Sequence, residues 1–249
     1  MILYDYHIHT EFSYDSNIKG NDLMCKAISL GFKDIAITEH LDLLPQELSV
    51  YGLPSIQKYR NYCQQLQAKF PELRLRMGIE IGDYHKVKDF AEGLIRGYHF
   101  SPILGSVHFL SDHTNVAIPL AQPLDPSQIE DYYIQNLELV TNCDIDILAH
   151  LGVYKRYYTS SPCESHVSHL IDQILKTIIQ RDIALEINLS SLRKPYGNII
   201  PEPDILERYR TLGGKKISIG SDSHHIDHFG LVSEAVIAHT HGFEMPRLD

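Results

Sequence analysis

Asp5-Tyr6-His7-Ile8-His9 closes a short β-prone run near the start of the chain. In an extended strand, residues two apart point to the same side, so His7 and His9 direct two imidazoles at one point. The chain then repeats this placement of a metal-capable side chain at a strand end. Strand candidates cover 2–7, 34–38, 73–81, 102–107, 145–149, 183–188 and 216–220. At or just past their ends stand His7 and His9, Glu39 and His40, Glu80, His108, His150, Asn188, and Asp222 with His224. Several of the runs are almost wholly apolar, such as IAIT at 35–38, ILGSV at 103–107 and IALEINL at 183–189, as suits a parallel strand covered on both faces.

Helical patterns fill the intervals, over 21–30, 55–70, 86–95, 127–141, 165–181, 202–212 and 231–241. In the fifth, Val167, Leu170, Ile171, Ile174, Leu175 and Ile178 fall on one stripe. Gly31, Gly97 and Gly213 follow helices where a left-handed cap belongs, and Pro201 and Pro203 flank the start of the sixth. Seven strands, each followed by a helix, predict an α/β fold, a TIM-like (β/α)7 barrel one unit short of eight. A doubly wound sheet has the same local alternation. The ligand pattern favours the barrel, because there all carboxyl ends of the strands share one rim, and residues scattered from position 7 to position 224 converge. No shift in composition divides the 249 residues, which are read as one domain, 1–249.

The balance of 22 basic against 32 acidic residues, a net charge of −10, argues against a nucleic-acid or membrane-surface partner. Cys25, Cys63, Cys143 and Cys163 form no CxxC pair, which removes zinc-ribbon and thioredoxin readings. Asp5 and His7 interrupt the apolar start of the chain, and no run approaches the ~20 residues of a membrane span. A cytoplasmic protein with reduced thiols is expected. Fifteen histidines and no tryptophan leave metal binding as the composition's main positive signal.

Glu80, in Met77-Gly78-Ile79-Glu80-Ile81, is a carboxylate inside an apolar strand, where an unpaired charge is costly. A buried ion pair or a bridged metal relieves that cost. His108 follows Gly105-Ser106-Val107 and His150 follows Ile147-Leu148-Ala149; either alone reads as a hydrogen-bonded core histidine. Ser221-Asp222-Ser223-His224 repeats the two-apart logic with one carboxylate and one imidazole. With His40 and Asp15 the candidate ligands are His7, His9, Asp15, His40, Glu80, His108, His150, Asp222 and His224. One catalytic zinc takes about three protein ligands, so two or three divalent ions are expected, with three favoured. Nitrogen and oxygen ligands without thiolate fit Zn, Mn or Fe. Such paired ions suit hydrolysis of a phosphoester, and a small phosphate ester is the expected partner. Lys155-Arg156 and Arg193-Lys194 follow the fifth and sixth strands, and Arg156 and Arg193 are the candidate phosphate clamps. His228, close behind His224, is a candidate substrate contact. Asp222 and His224 are expected to join the two arginines in the reaction. The acid that protonates the leaving alkoxide stays open between Asp222 and water.

The ordered motifs HIHT at 7–10, TEH at 38–40, GIE at 78–80, GSVH at 105–108, AHLG at 149–152 and SDSH at 221–224 resemble the polymerase and histidinol phosphatase (PHP) superfamily. FSYDS at 12–16, GSVHFL at 105–110 and NLSSLRKP at 188–195 resemble its monofunctional histidinol-phosphate phosphatases. That resemblance implies a distorted (β/α)7 barrel with a trinuclear metal centre. The implied activity is hydrolysis of L-histidinol phosphate to L-histidinol and phosphate, a step of histidine biosynthesis. It also implies one ion at His7, His9, Glu80 and Asp222, a second at Glu80, His108 and His150, and a third at Asp15, His40 and His224, with Glu39 behind the ligands. Gly152 departs from the pattern, where relatives often carry aspartate. A PHP-type esterase of another substrate, a nuclease, or a non-catalytic metal-binding protein are the alternatives. The stretches 41–54 and 112–126 are read as long loops that shape or gate the substrate pocket.

Overall fold

In the computed structural model, which describes residues 4–231 and 234–248, the apolar runs form seven strands. These are β1 (Tyr4–Asp5), β2 (Asp34–Asp42), β3 (Arg74–Gly82), β4 (Ile103–Ser106), β5 (Ile147–Leu148), β6 (Ala184–Asn188) and β7 (Ile217–Gly220). Ile2 and Leu3 of the first expected strand, and Val232 and Ser233 of the last expected helix, lie outside the described residues. The strands pair in parallel and in sequence order from β1 to β7. Beyond β1, the Tyr6 amide donates to the Ile219 carbonyl at 2.9 Å, the Asp222 amide to His7 at 2.8 Å, and Ile8 pairs with Ser223. A sheet whose first and last strands meet is a barrel, which removes the doubly wound alternative.

Helices α1 (Gly20–Ser29), α2 (Pro45–Tyr51), α3 (Ile56–Lys69), α4 (Tyr84–Ile95), α5 (Pro126–Asn142), α6 (Ser168–Gln180), α7 (Pro203–Thr211) and α8 (Glu234–Thr240) connect the strands. The apolar stripe of α6 is buried at Leu170, Ile171, Ile174, Leu175 and Ile178, while Val167 is buried in the 3₁₀ turn before it. Asp125 and Gln128 form a capping box at the start of α5, with Pro126 in the first turn. Gly31, Gly97 and Gly213 take φ of 82°, 86° and 94°, the left-handed caps their positions called for.

One expectation needs correction. The stretch 41–54 is not a long loop: β2 runs on through Asp42, and α2 follows, with proline in its first turn and Gly52 at φ 71° ending it. Seven residues are too few for a legible period, and the side chain buried on this helix is the polar Glu47.

By strand alternation, Ala36, Leu104 and Ala184 share the faces of His40, His108 and Glu186. They join Tyr6, Ile147 and Ala149 in a small apolar cluster that floors the site. The larger core lies between strands and helices. No helix among the described residues is long and apolar enough to cross a membrane.

Candidate metal centre and substrate cavity

The carboxyl ends of the strands bring all nine candidate ligands to one rim. His7 Nε2 and His9 Nε2 lie 3.4 and 3.6 Å from Glu80 Oε2, and 3.8 and 3.6 Å from Asp222 Oδ1. The other oxygen of Glu80, Oε1, faces His150 Nε2 at 2.8 Å and His108 Nε2 at 3.6 Å. Asp15 presents its two oxygens to His40 Nε2 at 3.6 Å and His224 Nε2 at 3.2 Å, and those two nitrogens are 3.4 Å apart. Register explains the shared corner: His40 pairs with Glu80 across β2 and β3.

The donor chemistry fits cations. His7 Nδ1 is held by Glu186 at 2.6 Å, and His9 Nδ1 by the Ser13 hydroxyl at 3.2 Å; Ser13 in turn donates to Glu39. Each ring therefore donates from Nδ1 and turns Nε2 inward, the nitrogen left to serve as the metal ligand. His7 Nε2 and His9 Nε2 are buried and have no hydrogen-bond partner, which costs free energy unless an ion fills the gap. Groups His7–His9–Glu80, Glu80–His108–His150 and His9–His40–His224 each bring their ligand atoms within 4.8 Å of one another.

Without ions the site is strongly polarised. Burial opposes the charge on His7, but Glu186, Glu80 and Asp222 outweigh it and hold that ring protonated well above the ordinary range. His40 and His108 are raised by neighbouring carboxylates in the same way. His9 is pushed well below by burial and by His224, His40 and His7. Burial also lowers His150. Glu80 and Asp222 stay ionised despite their burial, the first because of His7 and His40, the second because of Arg156 and the histidines. Asp222 and His150 sit at φ 50° and 27°, positions that cost a non-glycine residue about 1–3 kcal/mol each and cluster at functional sites.

The two candidate clamps differ. Arg156, on a 3₁₀ turn after β5, donates from Nη2 to Asp222 Oδ2 at 2.6 Å, lines the cavity, and has a buried Nε without a partner. Arg193 donates to the carbonyls of Ser221 at 2.8 Å and Asp222 at 3.2 Å and does not line the cavity. Lys155, beside Arg156, is buried between Glu164 and Glu202 and faces away from this chemistry. His228 lies near Arg193 and Lys194, whose charges add to burial in lowering its pKa, and it is not in the cavity wall.

Four residues that matter were missed in the sequence. Glu186 holds His7 and also accepts the His150 amide at 2.6 Å; it sat in plain view as a carboxylate within an apolar strand, the same signal as Glu80. Asp42 faces His108 Nδ1 at 3.6 Å. Ser13 holds His9, and Glu47 of α2 lines the cavity. Two glycines make room behind the histidines. A Cβ at Gly220 would collide with the Glu186 carboxylate and His7, and one at Gly82 with the Asp42 carboxylate.

The cavity has a volume of about 430 Å³. Asp15, His40, Glu80, His108, His150, Arg156, Asp222 and His224 line it together with Tyr14, Glu47 and Tyr51 and with Asn115, Ala117 and Ile118. Loop 112–126 thus supplies part of the wall, as expected.

A parallel seven-stranded barrel with histidines and carboxylates on its rim suits a metal-dependent hydrolase, and the PHP domain model matches residues 5–190. The chain belongs to the PHP domain family. Among its relatives, the probable histidinol-phosphatase of Clostridium acetobutylicum is 30% identical over 92% of this chain and 89% of its own. The histidinol-phosphatase of Lactococcus lactis is 29% identical over 88% and 83%. A crystal structure of Lactococcus lactis histidinol phosphate phosphatase, complexed with zinc, L-histidinol and phosphate, superposes with a TM-score of 0.81 at 26% identity, covering 99% of this chain and 98% of that one. The putative histidinol phosphatase of Listeria monocytogenes shares the fold, with a TM-score of 0.78 at 20% identity over 92% and 97%.

Proposed function

We propose that this protein is a metal-dependent histidinol-phosphatase that converts L-histidinol phosphate and water to L-histidinol and phosphate, a step of histidine biosynthesis. One observation carries the reading: Glu80 faces His7, His9 and His40 with one carboxylate oxygen and His108 and His150 with the other, beside an arginine that opens on a cavity sized for a small ester. The relatives that match this chain along most of its length, and the zinc in one of their structures, support it.

Three ions would be held by His7, His9, Glu80 and Asp222; by Glu80, His108 and His150; and by Asp15, His40 and His224. Zinc is the favoured metal, with manganese and iron as alternatives from the same ligand chemistry. When bound, such ions supply Lewis-acid polarisation and neutralise charge on a phosphoryl group.

The chain's own residues do the rest. Arg156, fixed by Asp222, turns its remaining N–H groups to the phosphate oxygens. Arg193 braces the Ser221–Asp222 turn and adds positive potential from behind it. Asp222, held ionised by Arg156, accepts a hydrogen bond from the attacking water and orients it, and water supplies the proton to the leaving oxygen, so that ester plus water balance as alcohol plus phosphate. His224, hydrogen-bonded through Nδ1 to the Asp222 carbonyl at 3.1 Å, holds Asp15 at the mouth of the cavity.

Phosphate release from a panel of monoesters and from single-stranded DNA, before and after chelation, tests this. L-Histidinol phosphate should be the best substrate, with activity lost on chelation and restored by zinc or manganese, and about three ions per chain in the active protein. Faster cleavage of DNA, or full activity after complete metal removal, would sink it.

A further inference from the structure

Two buried carboxylates, Glu47 in the cavity wall and Asp42 behind it, each leave one oxygen open. Glu47 is 5% exposed and its Oε2 has no hydrogen-bond partner; the Asp42 side chain is 2% exposed and its Oδ1 has none either. Ligand atoms of Asp42, Glu47 and His108 lie within 4.8 Å of one another. Acceptors buried this way are costly unless a donor or cation meets them. The chain sends Asp42 Oδ1 only the His108 ring, whose Nδ1 stands at 3.6 Å, beyond hydrogen-bond reach, and sends Glu47 Oε2 nothing; the ammonium of Lys86 is committed to Asp83 and the Phe109 carbonyl.

The surroundings favour an organic cation over another metal ion. Glu47 shares the cavity wall with Tyr14 and Tyr51; Tyr14 is stacked on both Tyr51 and His40, which leaves the outer face of Tyr51 to meet an ammonium or a flat cationic ring. Tyr14 also donates to Asp42 Oδ2 at 3.2 Å, tying the aromatic wall to the carboxylates. His108 already turns its other nitrogen to Glu80. Asp42 stands two residues past His40 on one face of β2, about 6.6 Å on at ~3.3 Å per residue, so the acceptors lie a few bonds' length from the reacting phosphate.

We propose that Glu47, with Asp42 behind it, is the specificity-determining acceptor for a cationic nitrogen of the substrate, selecting phosphomonoesters that carry an ammonium or imidazolium a few bonds from phosphorus. This rests on the cavity being the phosphatase site described above, and it names what that site selects.

The test compares wild type with Glu47→Gln on four esters: L-histidinol phosphate, an aminoalkyl phosphate without imidazole, an imidazolylalkyl phosphate without the amine, and propyl phosphate. The substitution should lower kcat/KM for at least one cationic ester at least tenfold relative to propyl phosphate, chiefly through KM, with metal content at the wild-type level. Whichever single-cation ester follows L-histidinol phosphate identifies the nitrogen received. An equal fall for charged and neutral esters, or loss of bound metal, would overturn the proposal. Should Glu47→Gln not fold, inhibition of the wild-type enzyme by L-histidinol against analogues lacking the amine, the imidazole or both replaces it, and equal inhibition by all four overturns it. A wild type that prefers other cationic phosphate esters to L-histidinol phosphate breaks the histidinol-phosphatase reading and leaves this inference standing. Equal turnover of L-histidinol phosphate and propyl phosphate breaks the inference alone.

Discussion

At the β1–β7 end of the cavity, Asp222 turns one oxygen to His7 and His9 and the other to Arg156, and a carboxylate or hydroxyl stands behind each of those two histidines. At the β2–α2 end, Asp42 and Glu47 each keep a buried oxygen with no partner, beneath two half-exposed tyrosines. The first arrangement is preorganised around charge that stays: its rings are oriented before anything binds, which is what a resident ion needs. The second leaves its acceptors open to a ligand that arrives and departs.

The contrast breaks most visibly at Glu80. Glu80→Ala should lower turnover at least ~10³-fold, since the ions it joins are worth several kcal/mol of transition-state stabilisation, and metal analysis should show ions lost with it. Arg156→Lys keeps the charge and removes the fork, so kcat/KM for the phosphate ester should fall about 10²-fold with metal content unchanged; steady-state kinetics with metal analysis checks both. Glu186→Gln should weaken metal affinity about 10- to 100-fold in a chelator competition, with activity recovered at excess zinc. Recovery would distinguish an orienting residue from a ligand.

The resident end should also be pH-sensitive in one direction. In the metal-free protein His7, His40 and His108 hold their protons well above the ordinary histidine range, so binding must displace them. As pH falls these rings are more fully protonated, and metal affinity should drop by about tenfold per pH unit for each proton displaced. Calorimetry in buffers of different ionisation heat should register the protons released. At the open end the smallest effect is expected. Tyr51→Ala removes one half-exposed ring, and KM for a cationic ester should rise about threefold, the scale of an exposed cation–π contact.

Much of the resident end could be read without coordinates. His7 and His9 are two apart, Glu80 interrupts an apolar strand, and His108 and His150 terminate apolar runs, so strand period and burial cost were enough to single them out. Glu186 carried the same signal in IALEINL and went unread. The choice between Lys155 and Arg156 was not in the sequence: adjacent cations look alike until the 3₁₀ turn sends one between Glu164 and Glu202 and the other to Asp222. The open end was the least legible. Helix α2 is one short element with a polar residue on its buried side, so it offered neither period nor apolar face.

The chain by itself pointed to the barrel and to the candidate ligands, because strand alternation and apolar runs are local properties and a metal-capable side chain recurs at the strand ends along the chain. Only the tertiary structure decided which oxygen of Glu80 faces which histidine, which arginine enters the cavity, and that Asp42 and Glu47 each keep one buried oxygen without a hydrogen bond. Those are matters of distance between strands far apart in sequence, set by barrel closure and by the space that Gly82 and Gly220 leave behind the rim.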